Sequence, residues 1–165
     1  MAARREARFC FFEKKKQKTF FCLVWLVATG AFAAPAVMVR GAVAHPGAVD
    51  LAGFAPHPVS ASFTTMHGTE AHLWAGPLLL EVVNAAGITD APGKKTHLRH
   101  VLTASGKDGY GAALALGEID PKGEAKTVII ATVQDGVPLA APRLIIPGDK
   151  SMARCVHDLS EIDIN

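Results

Sequence analysis

Two histidines and a glutamate lie close together near the middle of the chain. His67, Glu70 and His72 fall within six residues, and imidazole and carboxylate groups are ligands for zinc, copper or iron. Their spacing matches no recognised metal signature, and a strand-turn-strand context would point the three side chains in different directions. We therefore favour polar loop residues over a metal site here. His97 and His100 are interpreted in the same way.

Cysteines are few in this chain. Of the three cysteines, only Cys155 lies outside the first 33 residues, so no disulfide can form within residues 34–165. Cys155 belongs to a strand-like run that is expected to bury it, which favours a small hydrophobic role over a nucleophilic one. The sequence has no Gly-x-Ser-x-Gly elbow, no phosphate-binding glycine-rich loop and no paired-carboxylate spacing. Hydrolase and kinase functions are therefore unsupported.

The first 33 residues have the pattern of a signal peptide. Seven lysines and arginines precede the apolar run 20–33, which ends in Ala31-Phe32-Ala33. This run of 14 residues suits a secretory signal core better than a membrane span. We expect cleavage after Ala33, leaving one domain, residues 34–165, in the periplasm or outside the cell. The alternative is an uncleaved N-terminal anchor.

Removal of the leader reverses the formal charge. Residues 34–165 hold 10 Lys and Arg against 13 Asp and Glu, a formal net charge of −3. No basic cluster is interleaved with aromatic residues, so a nucleic-acid partner is not expected. After cleavage no membrane association is expected either.

The remaining sequence predicts an α+β domain made mostly of short strands. The main helix is predicted at 77–87, where apolar residues recur at helical spacing, Pro77 suits the first turn and Gly87 a left-handed cap. Asp135-Gly136 between apolar runs predicts a hairpin. The predicted strands are Val37–Ala44, Val59–Thr65, Ala71–Trp74, Leu98–Ala104, Thr127–Val133, Arg143–Ile146 and Arg154–Ile164.

Four motifs in order resemble the oxidoreductase molybdopterin-binding domain of the sulfite oxidase family. Together they cover roughly residues 39–164, and the resemblance implies the fold of that domain. The motifs are Trp74-Ala75-Gly76-Pro77-Leu78-Leu79-Leu80, Asp108-Gly109-Tyr110, Asp135-Gly136-Val137-Pro138-Leu139, and Pro142-Arg143 followed by Pro147-Gly148 and Ala153-Arg154-Cys155-Val156-His157.

The resemblance also implies a set of cofactor-binding residues. Arg143 and Arg154 occupy positions that in the family face the pterin and its phosphate, and a guanidinium offers both groups a planar fork of donors. Asp108, Tyr110 and His67 would line the same cleft. For each arginine taken alone, a surface ion pair is the alternative.

The departures from the family pattern fall on the cofactor side. The position of the molybdenum thiolate lies among residues 64–67, where no cysteine stands, and no metal ligand is predicted. Ala140 and Ala141 replace a histidine and glycines, while His157 and Asp158 replace a lysine and a tryptophan.

Two hypotheses follow from this combination. The first is an exported molybdopterin-binding oxidoreductase-like domain that keeps a cleft for a pterin cofactor or a related small anion. If such a domain is an enzyme, it moves electrons or an oxygen atom with the cofactor's chemistry. The second is a cofactor-free periplasmic binding, sensory or accessory module, with a small ligand or a protein as its partner.

Overall fold

A computed structural model describes residues 35–93 and 96–165. The predicted signal peptide lies outside the described residues, so the leader and the domain boundary at residue 34 stay predictions. In chain order the described strands and α-helices are β1 Ala36–Gly41, β2 Gly47–Asp50, β3 His57–Thr65, β4 Gly68–Gly76, α1 Leu79–Ala86, β5 Val101–Gly106, β6 Gly111–Ala115, α2 Leu116–Ile119, β7 Ile129–Gln134, β8 Val137–Ile145 and β9 Leu159–Ile164. Three short 3₁₀ helices lie at Leu51–Gly53, Thr96–Arg99 and Met152–Arg154.

The strands form two sheets. Sheet 1 has five strands in the order β2-β1-β9-β5-β6, and sheet 2 has four in the order β3-β4-β7-β8. The neighbours are antiparallel except for β1 and β9, which run parallel. The fold is therefore mostly β with few helices, as the sequence predicts for an α+β domain.

The clearest local predictions are confirmed. The main helix is α1, and Gly87 caps it with a φ of 73°. β3 and β4, which contain the predicted strands Val59–Thr65 and Ala71–Trp74, pair as an antiparallel hairpin. Asp135 and Gly136 turn the chain between β7 and β8, both with positive φ, as a two-residue hairpin turn requires. None of the helices in the described ranges has the length and hydropathy needed to cross a membrane.

Several strand boundaries differ from the prediction, among them the start of β8, which begins at Val137 rather than at Arg143. β1 ends at Gly41 rather than at residue 44, because Gly41 turns the chain with a φ of 90°. The strand predicted from residue 98 begins at Val101, after a 3₁₀ helix. The strand predicted from Arg154 begins at Leu159: Arg154 ends a 3₁₀ helix, and Asp158 has a φ of 46°, which extended backbone cannot adopt.

Sheet 2 divides the interior into two hydrophobic cores. Ile130 and Leu144 are opposite each other and pack in the larger core, with α1 and sheet 1. The next pair along the same strands, Ile129 and Ile145, points to the other face and packs in a smaller core. The continuous apolar run in β7 is explained by this burial on both faces. The smaller core consists of Ala61, Phe63, Trp74, Ile129, Ala131, Ile145 and Cys155.

The segment between β8 and β9 closes the smaller core. The Thr64 N–H on edge strand β3 donates to the Lys150 carbonyl at 2.8 Å, and the Leu144 N–H on edge strand β8 donates to the Val156 carbonyl at 2.9 Å. Residues 146–157 therefore leave β8, reach β3 and return. Cys155 packs from this segment into the core, which fixes the segment against sheet 2.

Candidate functional site

Arg143 is the predicted site residue with the most distinctive surroundings. It lies on β8 opposite Ala131, so its side chain is on the face of the smaller core and is partly buried. Its Cζ lies 5.3 Å from the centroid of the fully buried Trp74 ring, a cation–π arrangement. Within residues 35–93 and 96–165, no carboxylate oxygen lies within 4.0 Å of its guanidinium nitrogens. Burial lowers the pKa of Arg143, yet a guanidinium remains charged at neutral pH.

His157 and Asp158 accompany Arg143 at the edge of sheet 2. The hydrogen bond between Leu144 and Val156 places His157 beside β8, while the Lys107 N–H donates to the Asp158 carbonyl at 3.1 Å. Burial lowers the pKa of His157, and the positive charge of Arg143 lowers it further. We call Arg143, Trp74, His157 and Asp158 the Arg143 cluster.

A histidine–aspartate pair also contacts Trp74. His72 Nδ1 lies 2.7 Å from Asp135 Oδ2, and Asp135 Oδ1 accepts the Leu73 N–H at 2.9 Å. The bond from Leu73 and then the bond with His72 lower the pKa of the Asp135 carboxyl. The His72 ring meets the Trp74 ring edge-on, with centroids 5.7 Å apart. The indole that supports Arg143 is thus itself positioned by a polar pair.

Trp74 also carries an unsatisfied donor. Its Nε1 is buried and has no hydrogen-bond acceptor within the described part of the chain. A buried N–H without a partner costs roughly 1–3 kcal/mol. An acceptor atom brought by a ligand or a water molecule would remove this cost.

Asp108 and Tyr110 belong to a structured turn between β5 and β6. Asp108 Oδ1 accepts the Tyr110 N–H at 2.9 Å, and the Tyr110 hydroxyl donates to the Ala153 carbonyl. The turn is thereby fastened to the 3₁₀ helix Met152–Arg154. The charge of Asp108 also acts on His157, so the turn borders the Arg143 cluster.

Arg154 is held by carboxylates. Its Nε and Nη2 donate to the two oxygens of Asp149 at 2.8 and 2.7 Å, and its Nη1 donates to Glu118 at 3.3 Å. The Asp149 hydrogen bonds, assisted by Glu118, raise the pKa of Arg154. All three nitrogens of the guanidinium have acidic partners, so Arg154 braces the segment 146–157 against α2. Its role toward a cofactor stays a prediction.

His67 lies in the exposed turn between β3 and β4. Its main-chain N–H donates to Thr65 Oγ1 at 3.1 Å. Of the three possible metal ligands, Glu70 and His72 share one face of β4, 3.9 Å apart, but the closer partner of His72 is Asp135. Across the described ranges, no three His, Cys, Asp or Glu side chains are grouped to hold a metal ion.

The residues present do not fit a molybdenum centre held by a thiolate. Residues 64–67 offer hydroxyl, thioether and imidazole groups. The one cysteine of residues 34–165, Cys155, is 2% exposed within the smaller core, and burial raises the pKa of its thiol. A soft, ionised and accessible sulfur is therefore lacking.

A separate groove, with a volume of about 900 Å³, is lined by residues of both sheets. None of His67, Asp108, Tyr110, Arg143 and Arg154 lines it. Sequence reasoning missed this groove and the role of His157. No local pattern predicts the groove, since most of its lining residues are alanines, prolines and other apolar residues from strands that are distant in sequence.

The fold has a counterpart among solved structures. The crystal structure of the sulfane dehydrogenase SoxCD from Paracoccus pantotrophus superposes with a TM-score of 0.64 at 17% sequence identity, over 79% of this chain. The match spans 38% of that chain. No family model matches the sequence, and no curated protein matches it. The likeness is one of fold alone, and it supports, at a distance, the sulfite-oxidase-type fold that the sequence motifs imply.

Proposed function

We propose that this domain binds a small anionic ligand at the Arg143 cluster and does not hold molybdenum through a thiolate. One observation carries the proposal: Arg143 is a partly buried cation that rests on an indole ring and lacks a carboxylate partner within the described residues. A cation placed in this way is costly unless an anion or water completes its shell.

The chemistry of the cluster indicates the kind of anion. The guanidinium can donate two parallel hydrogen bonds to a carboxylate, sulfate or phosphate. Protonation of His157 would add a positive charge when the anion binds. Asp158 and Asp108 are the opposing charges and disfavour highly charged ligands.

Anion titration by calorimetry tests the proposal. We expect inorganic sulfate and pterin-6-carboxylate to bind the wild-type domain, and Arg143→Ala to weaken both by at least roughly tenfold, the value of one charged hydrogen bond. Arg143→Lys keeps the positive charge but loses the two parallel N–H donors. It should therefore also weaken binding of pterin-6-carboxylate, because a lysine offers the planar carboxylate only a point charge. The control is Arg99→Ala, at an exposed arginine on a 3₁₀ helix. Equal affinities for wild type and Arg143→Ala would refute the proposal.

A molybdopterin-dependent oxidoreductase is the second candidate, because the fold resembles that of such enzymes. Bound cofactor would supply electron or oxygen-atom transfer, and Arg143 would hold its pterin or phosphate. The test is the molybdenum content and the released-pterin fluorescence of protein purified from cells grown with molybdate. Near-stoichiometric metal and pterin would favour this candidate. A folded sample lacking both would favour the anion-binding module.

Residues 1–33 lead us to propose further that the domain works in the periplasm or outside the cell. N-terminal sequencing of the protein recovered from the periplasm should begin at Ala34 if the leader is cleaved. An intact N-terminus in the membrane fraction would favour an anchor instead.

A further inference from the structure

The groove lined by both sheets has a character different from the Arg143 cluster. Its lining comes from β1, β2 and β9 of sheet 1, from β7 and β8 of sheet 2, and from Lys107 in the turn after β5. Its volume of about 900 Å³ lies within the range of small-molecule sites. The lining residues are Pro35, Ala36, Met38, Ala48, Lys107, Thr132, Val133, Pro138, Leu139, Ala140, Ala141, Pro142, Leu159 and Ser160.

The β8 wall disfavours a peptide strand as the occupant. Residues 138–142 span up to about 17 Å at 3.3 Å per residue, but Pro138 and Pro142 have no N–H to offer to a paired strand. The pairing of β7 and β8 is also irregular here, since the register shifts between Ala131 and Val133. An occupant must therefore be held by apolar side-chain contacts rather than by a ladder of main-chain hydrogen bonds.

The polar lining indicates the charge of the occupant. Lys107 is the one charged side chain among the described lining residues, it is exposed, and no carboxylate of the described ranges lies within 4.0 Å of its amine. Its N–H is bound to Asp158, which fixes the start of the side chain. Ser160 Oγ donates to the Ser105 carbonyl at 3.1 Å and so has a partner already. The Lys107 amine, beside an otherwise apolar groove, complements a ligand that has one negative charge and an apolar chain.

We propose that this groove binds a free single-chain amphiphile with one anionic head group, such as a fatty carboxylate. The chain lies against Met38, Ala140 and the neighbouring apolar residues, and the head group pairs with Lys107. This site is distinct from the Arg143 cluster, because no residue of that cluster lines the groove.

Three probes of equal chain length test the proposal on the whole domain, below their micelle concentrations. We expect dodecanoate to bind roughly two- to fivefold more tightly than dodecanol, the range for an exposed ion pair, and dodecyltrimethylammonium to bind more weakly than both. Lys107→Gln should reduce dodecanoate binding to the level of dodecanol. Its matched control, Lys122→Gln, changes an exposed lysine outside the groove and should leave all three affinities unchanged.

Two blocking variants test the groove itself. Ala140→Trp on β8 and Ala48→Trp on β2 fill it at exposed alanines, and each should abolish binding of dodecanoate and dodecanol while the circular dichroism spectrum stays native. Equal binding of the three probes, or dodecanoate binding that survives both blocks in folded protein, would overturn the proposal. Binding to phosphatidylglycerol vesicles without binding of free dodecanoate would also overturn it and indicate a membrane surface.

The test of the groove can be separated from the test of anion binding at the Arg143 cluster. Lys107→Gln should leave sulfate affinity unchanged, and Arg143→Ala should leave dodecanoate affinity unchanged. If Arg143→Ala removes dodecanoate binding and Lys107→Gln does not, the groove proposal fails while the proposed function stands.

Discussion

Arg143 and Arg154 show how one residue type takes two roles eleven positions apart. Both arginines were predicted to bind the cofactor, because a sequence shows residue types and motifs but no distances. Arg154 lies where Asp149 and Glu118 converge, so its charge is neutralised within the fold. Arg143 extends over Trp74 instead, and its charge remains available. The partner of each arginine depends on where residues 146–157 cross sheet 2, which no local pattern specifies.

His157 provides a prediction on pH. Its folded-state pKa is lowered, so the folded state binds fewer protons than the unfolded state below the ordinary value of 6.5. Its contribution to stability is therefore present above pH 6.5 and is lost as the pH falls through the folded-state pKa. Burial, Arg143, Asp158 and Asp108 all act on this ring. We expect an NMR titration of His157 to have its midpoint below 6.5.

The same titration reports on the anion. Sulfate at the Arg143 cluster favours the protonated ring, so saturating sulfate should raise the midpoint of His157, and in Arg143→Ala it should not. His157→Gln should flatten the loss of unfolding free energy as the pH falls below 6.5. A midpoint that does not respond to sulfate in wild type would place the anion elsewhere.

Arg154 provides a prediction on stability. Arg154→Met removes three charged hydrogen bonds to Asp149 and Glu118, although Glu118 keeps Lys126 at 2.8 Å. Because the arginine side chain is 35% exposed, solvent screens part of the interaction. We expect a loss of about 1–2 kcal/mol in urea unfolding, against less than about 0.5 kcal/mol for the exposed control Arg99→Met. Equal losses would mean that Arg154 does not brace the segment.

At the scale of elements, the predictions from sequence succeeded where one local requirement, such as a positive φ, determines the structure. Gly87 caps α1, and Asp135-Gly136 turns a hairpin, because each needs a positive φ that these residue types tolerate. The prediction failed where a single residue breaks a strand-like run. Asp158, with its φ of 46°, is one such position, because β9 begins only after it. Nothing in its neighbours' hydropathy distinguishes it from a strand residue.

Gly76 provides a prediction on packing between strands. A Cβ at this position would overlap the Ile130 carbonyl, so β4 passes too close to β7 for any side chain. Gly76→Ala must push the two strands apart, and we expect a loss of about 1–3 kcal/mol in unfolding free energy. Gly53→Ala is the matched control, since no atom lies within 4 Å of its added methyl. A Gly76→Ala protein as stable as the control would contradict the close approach.

At the scale of the whole molecule, the shared strands β7 and β8 should make the domain unfold as one unit. Ile130 faces the larger core and Ile129 the smaller one, so neither core can open without displacing a strand that the other needs. A single transition is also usual for domains of this size. Trp74 reports on the smaller core, and Trp25→Phe makes it the sole tryptophan.

Urea unfolding of the Trp25→Phe protein should give the same midpoint by Trp74 fluorescence and by far-ultraviolet circular dichroism. Leu102→Ala in the larger core should cost about 2–5 kcal/mol, and Phe63→Ala in the smaller core about 3–5 kcal/mol. Each should lower both midpoints together. If Phe63→Ala lowers the fluorescence midpoint alone, residues 146–157 and the smaller core open independently. Arg143 would then lose its supporting indole in that open form, so anion affinity should fall at urea concentrations where the larger core is still folded.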